Sequence, residues 1–424
     1  VSVAHSRLRA AFSLRRNVAR IFVPPAGHLG PLDGLRALAV LWVVLFHAGW
    51  YARFTLPPES WARLAFSSWM LPVWRGDFGV DLFFVLSGFL IAGMLLDEQS
   101  KTGEIALGLF YVRRLLRLWP ALIVVAGLEL LTEDPNRGMV WASVLYLNDL
   151  FPVGVVALGW TWSLAIEEQF YLVCPWLLRG LGPMKPADRL AAVAALMGLL
   201  VFVAAGVVIA NEIRPWDAEI VGQLDMARWG FAFDVFYDKP WMRAGALLAG
   251  VGAAVVYRMP GALDALGSGG PRTGLAVAVA LGLMGLATHW PVVSSVPRPL
   301  EILYLASFRS VFGVSAAFVV LVTLSTHPLG RLLARPLSSR WLFPFSQLAY
   351  SAYLVNPLVT MTVDRALSSH VQHGEEPMLV LAPVDFAATF LAAALIHVFV
   401  ERPGMELRPR ARERPASAAP GPVQ

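Results

Sequence analysis

Cysteine is almost missing from this chain: Cys174 is the one thiol among 424 residues. An intramolecular disulfide, a Cys-rich zinc site and an iron–sulfur cluster are therefore excluded, and no metal site is expected. Charge is scarce as well. Asp, Glu, Lys and Arg supply 15% of the residues, against about 25% in soluble domains. Apolar residues reach 57% and the mean hydropathy is +0.62, so the few charges could not cover a water-facing surface. The net charge of +5 is accordingly no sign of nucleic-acid binding. No internal repeat is visible, which counts against a transporter built from two related halves. Nor is a signal peptide expected at the start, because Arg7, Arg9, Arg15, Arg16 and Arg20 interrupt every apolar core and Pro24-Pro25 closes the segment.

What the chain does have is apolar stretches of about 20 residues, the length that crosses a hydrocarbon core. Ten are expected, over residues 33–51, 79–96, 116–133, 161–180, 189–210, 242–258, 273–289, 309–326, 344–363 and 379–400. They predict an all-α, polytopic integral membrane protein whose immediate partner is the lipid bilayer. Residues 1–32 read as a basic cytoplasmic segment, 33–403 as the membrane domain and 404–424 as a disordered cytoplasmic tail. In the first segment, Phe12, Val18 and Phe22 among the arginines fit an amphipathic helix on the membrane surface, and a disordered basic tail fits equally. Lys and Arg concentrate in the loops on the side of the termini, which places both termini in the cytoplasm of a cell whose inner (plasma) membrane holds the protein. The longest opposite loop is acidic, with Glu212, Asp217, Glu219, Asp225, Asp234 and Asp238, and tryptophans such as Trp50, Trp160, Trp216 and Trp229 gather on that outer side. An interfacial belt explains tryptophan at membrane edges but predicts both edges, so the outward bias also fits a surface for stacking sugar rings.

Ionisable groups inside spans are costly and point to function. The first span carries Asp33, Arg36 and His47. Asp33 reads most simply as a helix N-cap. Arg36 and His47 are eleven residues apart, which is three turns plus roughly 20°, so they share a helix face about 16 Å apart along the axis. Asp81 in the second span and Glu167 in the fourth are expected near the depth of His47, where either carboxylate could orient the imidazole. Glu167 is preferred over Glu168 because it shares its face with Ser163 and Tyr171. A buried polar cluster that only ties helices together is the competing reading. On the cytoplasmic side, Arg114 and Arg117 stand at i, i+3 and, with Arg36, suit phosphate groups, although topology alone also explains basic residues there. Ser87, Tyr171 and Asn356 are candidates for holding substrate. A ligand with phosphates at one end and a reactive group a long arm away would bridge the two clusters, and coenzyme A thioesters have that shape.

The motifs that carry these residues resemble the membrane acyltransferase-3 family. They are LDGLRALAVLWVVLFHAG with Arg36 and His47 in an Arg-x10-His pattern, GVDLFFVLSGFLI, the RxxR element at Arg114 and Arg117 in RRLLRLWPAL, SLAIEEQFYLVCPW, and VERP at Val400 to Pro403. The resemblance implies a bundle of ten or more helices that transfers an acyl group, acetyl foremost, from cytoplasmic acyl-CoA to a hydroxyl of a cell-surface glycan, a lipid-linked saccharide or a secreted metabolite. Acyl-CoA would be a co-substrate rather than a bound cofactor. His47 would be the general base, oriented by Asp81 or Glu167, and transfer could be direct or pass through an acyl-histidine. Two departures stand out. Many members have a Tyr-Leu-x-His-x-Pro pattern where this chain reads AYSAYLVNPLV, with Asn356 at the histidine position. The sequence also ends soon after VERP, without the SGNH-type domain that some members append, so acceptor choice is expected from the outer loops or another protein. The alternatives are a transporter of an anionic or glycosidic substrate, with the same residues as proton relay and gate, and a non-catalytic scaffold for glycan assembly.

Overall fold

The computed structural model describes residues 8–215, 226–288, 296–371 and 377–409. Trp216, Asp217, Glu219 and Asp225 of the expected acidic loop, and residues 410–424 of the expected tail, lie outside the described residues. Among the described residues the regular structure is entirely helical. Ten helices reach 18 residues or more: α1 (Gly30–Tyr51), α2 (Phe78–Thr102), α3 (Leu107–Glu129), α4 (Trp162–Leu181), α5 (Pro186–Ala210), α6 (Pro240–Tyr257), α7 (Gly270–Thr288), α8 (Arg298–Thr323), α9 (Phe343–Val371) and α10 (Pro377–Ile396). Each overlaps one expected span. Seven are long and apolar enough to cross a membrane, whereas ten crossings were expected. The three that fall short in apolarity are α3, α4 and α9, the helices that carry Arg114 and Arg117, Glu167, and Asn356.

Local chemistry sets several helix ends. Proline opens α5 and α6, where a missing N–H costs nothing, and Gly103 closes α2 in the left-handed conformation at φ 83°. Asp33 does not cap α1, as the sequence suggests; it lies inside the first turn, where it accepts from Ser346 Oγ at 3.0 Å and pairs with Arg36 at 3.2 Å. Of the two readings of the N-terminal segment, the helix is the one formed. It spans Leu14–Phe22, and Asn17 fastens it by donating to the carbonyls of Ala11 and Val398 at 2.9 and 3.0 Å. Phe12, Leu14, Val18 and Phe22 stay exposed, which suits a helix lying in the membrane interface.

The bundle has an inside and a lipid-facing outside. Within their apolar windows α2 is 78% and α6 67% buried by protein, against 17% for α5 and 22% for α7. Apolar side chains gain little by leaving lipid for protein, so central helices must approach closely enough for dispersion and polar contacts. Glycine permits this here: a Cβ at Gly88 would run into the Leu247 carbonyl, one at Gly250 into the Val85 carbonyl, and one at Gly313 would come within 2.8 Å of the Ala246 Cα. Helix α6 is thus in backbone contact with α2 on one side and α8 on the other. Gly250→Val should force that contact apart, lowering stability by about 1–3 kcal/mol or more. The check is the thermal unfolding of detergent-purified protein, with Gly206→Val in exposed α5 as the control that stays unchanged, since nothing lies within 4 Å of its added Cβ.

Candidate active site

The apolar run of α1 ends at His47, one turn before the helix closes, and the ring enters a cavity of about 390 Å³ on the side away from the described chain ends. His47 Nδ1 lies 2.6 Å from Asn356 Oδ1. Asn356 is fully buried in α9, and its Nδ2 donates to Thr360 and Thr389, both at 3.2 Å. With the amide nitrogen turned to those hydroxyls, its oxygen accepts from Nδ1–H of the imidazole. Nε2 then keeps its lone pair. Aromatic rings build the rest of the wall: Trp50 and Trp229 meet at 5.0 Å, and the Arg53 guanidinium lies 4.1 Å over Trp50.

Neither carboxylate expected beside His47 is there. Asp81, 0% exposed, is taken by two guanidiniums, pairing with Arg243 at 3.0 Å and with Arg309. Arg309 also holds Asp77 at 2.5 Å, the residue just before α2. The cations are shared with aromatic faces: Arg243 sits 4.1 Å over Tyr237 and 4.7 Å over Trp162, and Arg309 4.6 Å over Phe78. Asp81 faces α6 and α8 because a buried carboxylate goes where buried arginines can neutralise it. Arg243 and Arg309 were readable as charges within apolar spans, but their partners Asp77 and Asp81 were not.

Glu167 belongs to a second, larger cavity of about 1110 Å³ at the other end of the bundle. There it accepts hydrogen bonds from Ser87 and Tyr171. The structure brings Arg36, Arg114, Arg117, Ser87, Glu167 and Tyr171 together on this cavity's wall, while Asn356 stays with His47. Arg114 lies 3.8 Å over the Tyr171 ring and 4.0 Å from Glu168. Arg113 and Arg408 join the same wall, Arg113 bonded to the Pro409 carbonyl at 2.9 Å. Burial, followed by the guanidiniums of Arg117, Arg402, Arg113 and Arg114, holds Arg408 down at about 10. Such crowding of like charges favours an incoming anion. Glu401 of the VERP motif also faces the cavity, fixed by Ser351 and by His397 Nδ1, both at 2.8 Å, on a wide π-type turn. One helix, α1, thus carries Arg36 in one cavity and His47 in the other. The linings share two residues, Val80 and Tyr353.

A model of the acyltransferase-3 family, described as an acyltransferase domain, matches residues 30–399. The chain is 30% identical over 396 residues to the peptidoglycan O-acetyltransferase of Listeria monocytogenes, covering 88% of this chain and 55% of that protein. A Bacillus subtilis protein named "Putative peptidoglycan O-acetyltransferase" is 35% identical over 190 residues, 40% of this chain and 26% of that protein. A Staphylococcus aureus protein named "Putative O-acetyltransferase" is 35% identical over 165 residues, 35% of this chain and 24% of that protein. The chain therefore spans about half the length of the first of these relatives and about a quarter of the other two. No solved structure matches it.

The geometry separates Asp81 from His47 by experiment. Asp81→Ala would leave two buried guanidiniums short of a carboxylate, a loss of about 3–5 kcal/mol, and should lower the unfolding temperature markedly. His47→Ala removes a half-buried ring with one amide partner and should unfold near the parent temperature. Equal melting of the two variants would contradict the assignment of Asp81 to the structural network.

Proposed function

This chain belongs to the acyltransferase-3 family, and on that premise we propose that it is a membrane O-acyltransferase carrying an acyl group from cytoplasmic acyl-CoA to a hydroxyl of a glycan on the opposite side. The observation that carries this reading is the pairing of two cavities back to back, one ringed by guanidiniums and the other holding His47, with α1 running between them. Arg36, Arg114 and Arg117 hold the phosphates of the donor, guanidinium forks being matched to phosphate oxygens. Topology follows from the same polarity: the arginine cavity and both termini face the cytoplasm. The long arm of the coenzyme then runs along the cavity past Ser87 and Glu167 toward Tyr353. The names of the relatives support a glycan acceptor, and Trp50 with Trp229 offers flat apolar faces of the kind on which sugar rings stack.

In this reading the acceptor hydroxyl stands in the cavity of His47. Its oxygen attacks the thioester carbonyl, a C–O bond forms and the C–S bond breaks, and the electron pair of that bond leaves on sulfur. His47 Nε2 accepts the hydroxyl proton, because Nδ1 is committed to Asn356. His47 then passes that proton to the leaving sulfur, so the coenzyme departs as its free thiol to the cytoplasm and the imidazole is neutral again. Asn356 orients the ring and exchanges no proton itself. Glu167 stands one turn from Ser163 on α4, at the end of the arginine cavity nearest Tyr353, and keeps Ser87 and Tyr171 turned inward.

The test uses inside-out membrane vesicles from cells expressing the full chain, supplied with radiolabelled acetyl-CoA, and counts label in vesicle glycan. His47→Ala should lower incorporation by about 10²–10⁴, the contribution of a positioned general base. The parent rate should fall toward acid pH as the imidazole gains its proton, a limb that the variant lacks. Near-parental incorporation by a folded His47→Ala protein would remove the mechanism, and substrate counterflow without transfer would favour a transporter.

The donor side has its own readout. Arg114→Ala and Arg117→Ala should each weaken donor binding by about ten- to a hundredfold, equivalent to roughly 1.5–3 kcal/mol of charged hydrogen bonding. Lysine at either position should restore binding only in part, since it keeps the charge and loses the fork. Unchanged acetyl-CoA affinity in both alanine variants would reduce these arginines to topology signals.

A further inference from the structure

Tyr353 stands between the two cavities. It is buried in the interior of α9, and with Val80 of α2 it forms the wall that both cavities share. Its hydroxyl is held twice. It donates to the Trp160 carbonyl at 2.5 Å, and because a carbonyl can only accept, Ser163 Oγ, also at 2.5 Å, is the donor toward Tyr353. Trp160 answers across the same junction, its Nε1 donating to the Leu354 carbonyl at 3.2 Å. The start of α4 and the middle of α9 are therefore cross-linked at the ring that blocks passage.

The backbone under Tyr353 is also the weak point of α9. Pro357, four residues on, has no N–H to give the Tyr353 carbonyl, so this turn lacks one bond of the helical ladder. Asn356, which orients His47, lies on that turn. A side chain anchored by two hydrogen bonds on a turn with one bond fewer can be displaced and can return.

We propose that Tyr353, with Val80, is the specificity barrier that restricts the transferred group to short acyl chains and keeps water on the acceptor side from the thioester. The inference rests on the acyltransferase reading above and extends it to the class of donor: acetyl and other short-chain acyl-CoA thioesters. A longer chain would have to lie beside the phenol ring, in the opening that the ring fills. Removing the ring joins the cavities, admits longer chains and lets water reach the thioester carbonyl.

The experiment compares acetyl-, butanoyl- and hexanoyl-CoA in the same inside-out vesicles, following free coenzyme thiol and label in glycan together. Tyr353→Ala should raise the hexanoyl-to-acetyl ratio of kcat/KM at least tenfold and release thiol in excess of glycan labelling. Val80→Ala trims the same wall with one small apolar change, and should move the ratio in the same direction by several-fold while leaving the phenol anchored. Tyr353→Phe keeps the ring and should keep the parental chain-length profile, with some thiol release uncoupled from transfer. A parental profile and tight coupling in folded Tyr353→Ala, or in Val80→Ala where Tyr353→Ala does not fold, would overturn the barrier while leaving the acyltransferase intact. A parent protein that consumes none of the three donors would overturn both.

Discussion

Two arginines buried among apolar helices have to be neutralised before the bundle can close around them, and the central three helices are arranged to do it. Asp77 stands just before α2 and Asp81 in its first turn, Arg243 reaches from α6 and Arg309 from α8. Two carboxylates meet two guanidiniums, so the cluster is formally neutral, and aromatic faces cover part of the cationic surface. Desolvating four charges costs several kcal/mol each unless the pairing is close. Closeness is provided by the backbone contacts at Gly88, Gly250 and Gly313, which draw α2, α6 and α8 together. Packing and electrostatics are one constraint here: side chains at the glycines would separate the helices and leave the ion pairs stretched in a medium that stabilises no isolated charge.

That neutral cluster is also a boundary of the His47 cavity, since Asp77 and Arg309 line it. Its charges are spent on one another, so it gives the cavity a rigid floor rather than a proton donor or acceptor. The arginine cavity follows the opposite rule. Arg36, Arg113, Arg114, Arg117 and Arg408 crowd its wall, and Arg408 is depressed by burial first and then by the guanidiniums of Arg117, Arg402, Arg113 and Arg114. Crowded cations at the mouth of an open cavity have a remedy that buried ones lack, which is to gather an anion from solution. Arg243 and Arg309 are thus spent on buried carboxylates, whereas the guanidiniums of the larger cavity border open space.

Much of this was legible before any coordinates. Span length alone located ten long helices, and the helical period placed Arg36 and His47 on one helix, at opposite ends, reaching different cavities. What the period cannot supply is the choice of partner across helices. Asp81 was read as a neighbour of His47 from depth, and Glu167 from depth and from the face it shares with Ser163 and Tyr171, yet depth leaves direction around the helix open and Glu167 lies in the other cavity. Asp81 turned to Arg243 and Arg309, and Glu167 to Ser87 and Tyr171. The crossing count differs for a related reason. Polar residues lower the apolarity of α3, α4 and α9, and these helices line cavities or pack inside the bundle, where lipid does not dictate composition. Tyr353 appeared in the sequence only as the second tyrosine of AYSAYLVNPLV, and nothing in that pattern foretold that its hydroxyl would meet Trp160 and Ser163 or that its ring would lie between two cavities.

Asn356, at the position where the family resemblance implies a histidine, then acquires a physical meaning. A second imidazole beside His47 would compete for the same proton, and which ring acted as base would depend on the protonation of both. An amide is neutral throughout the working range and has one face that donates and one that accepts. Thr360 and Thr389 take the donating face, which leaves the accepting oxygen for His47 and fixes the ring with its basic nitrogen toward the cavity. One turn of α9 therefore governs both halves of the problem: Tyr353 stands in the passage, Asn356 orients the base, and Pro357 removes the backbone bond that would have held the turn stiff. Tyr353, Asn356 and Pro357 share one turn, so any shift of the backbone at Tyr353 would also move the amide that accepts from His47.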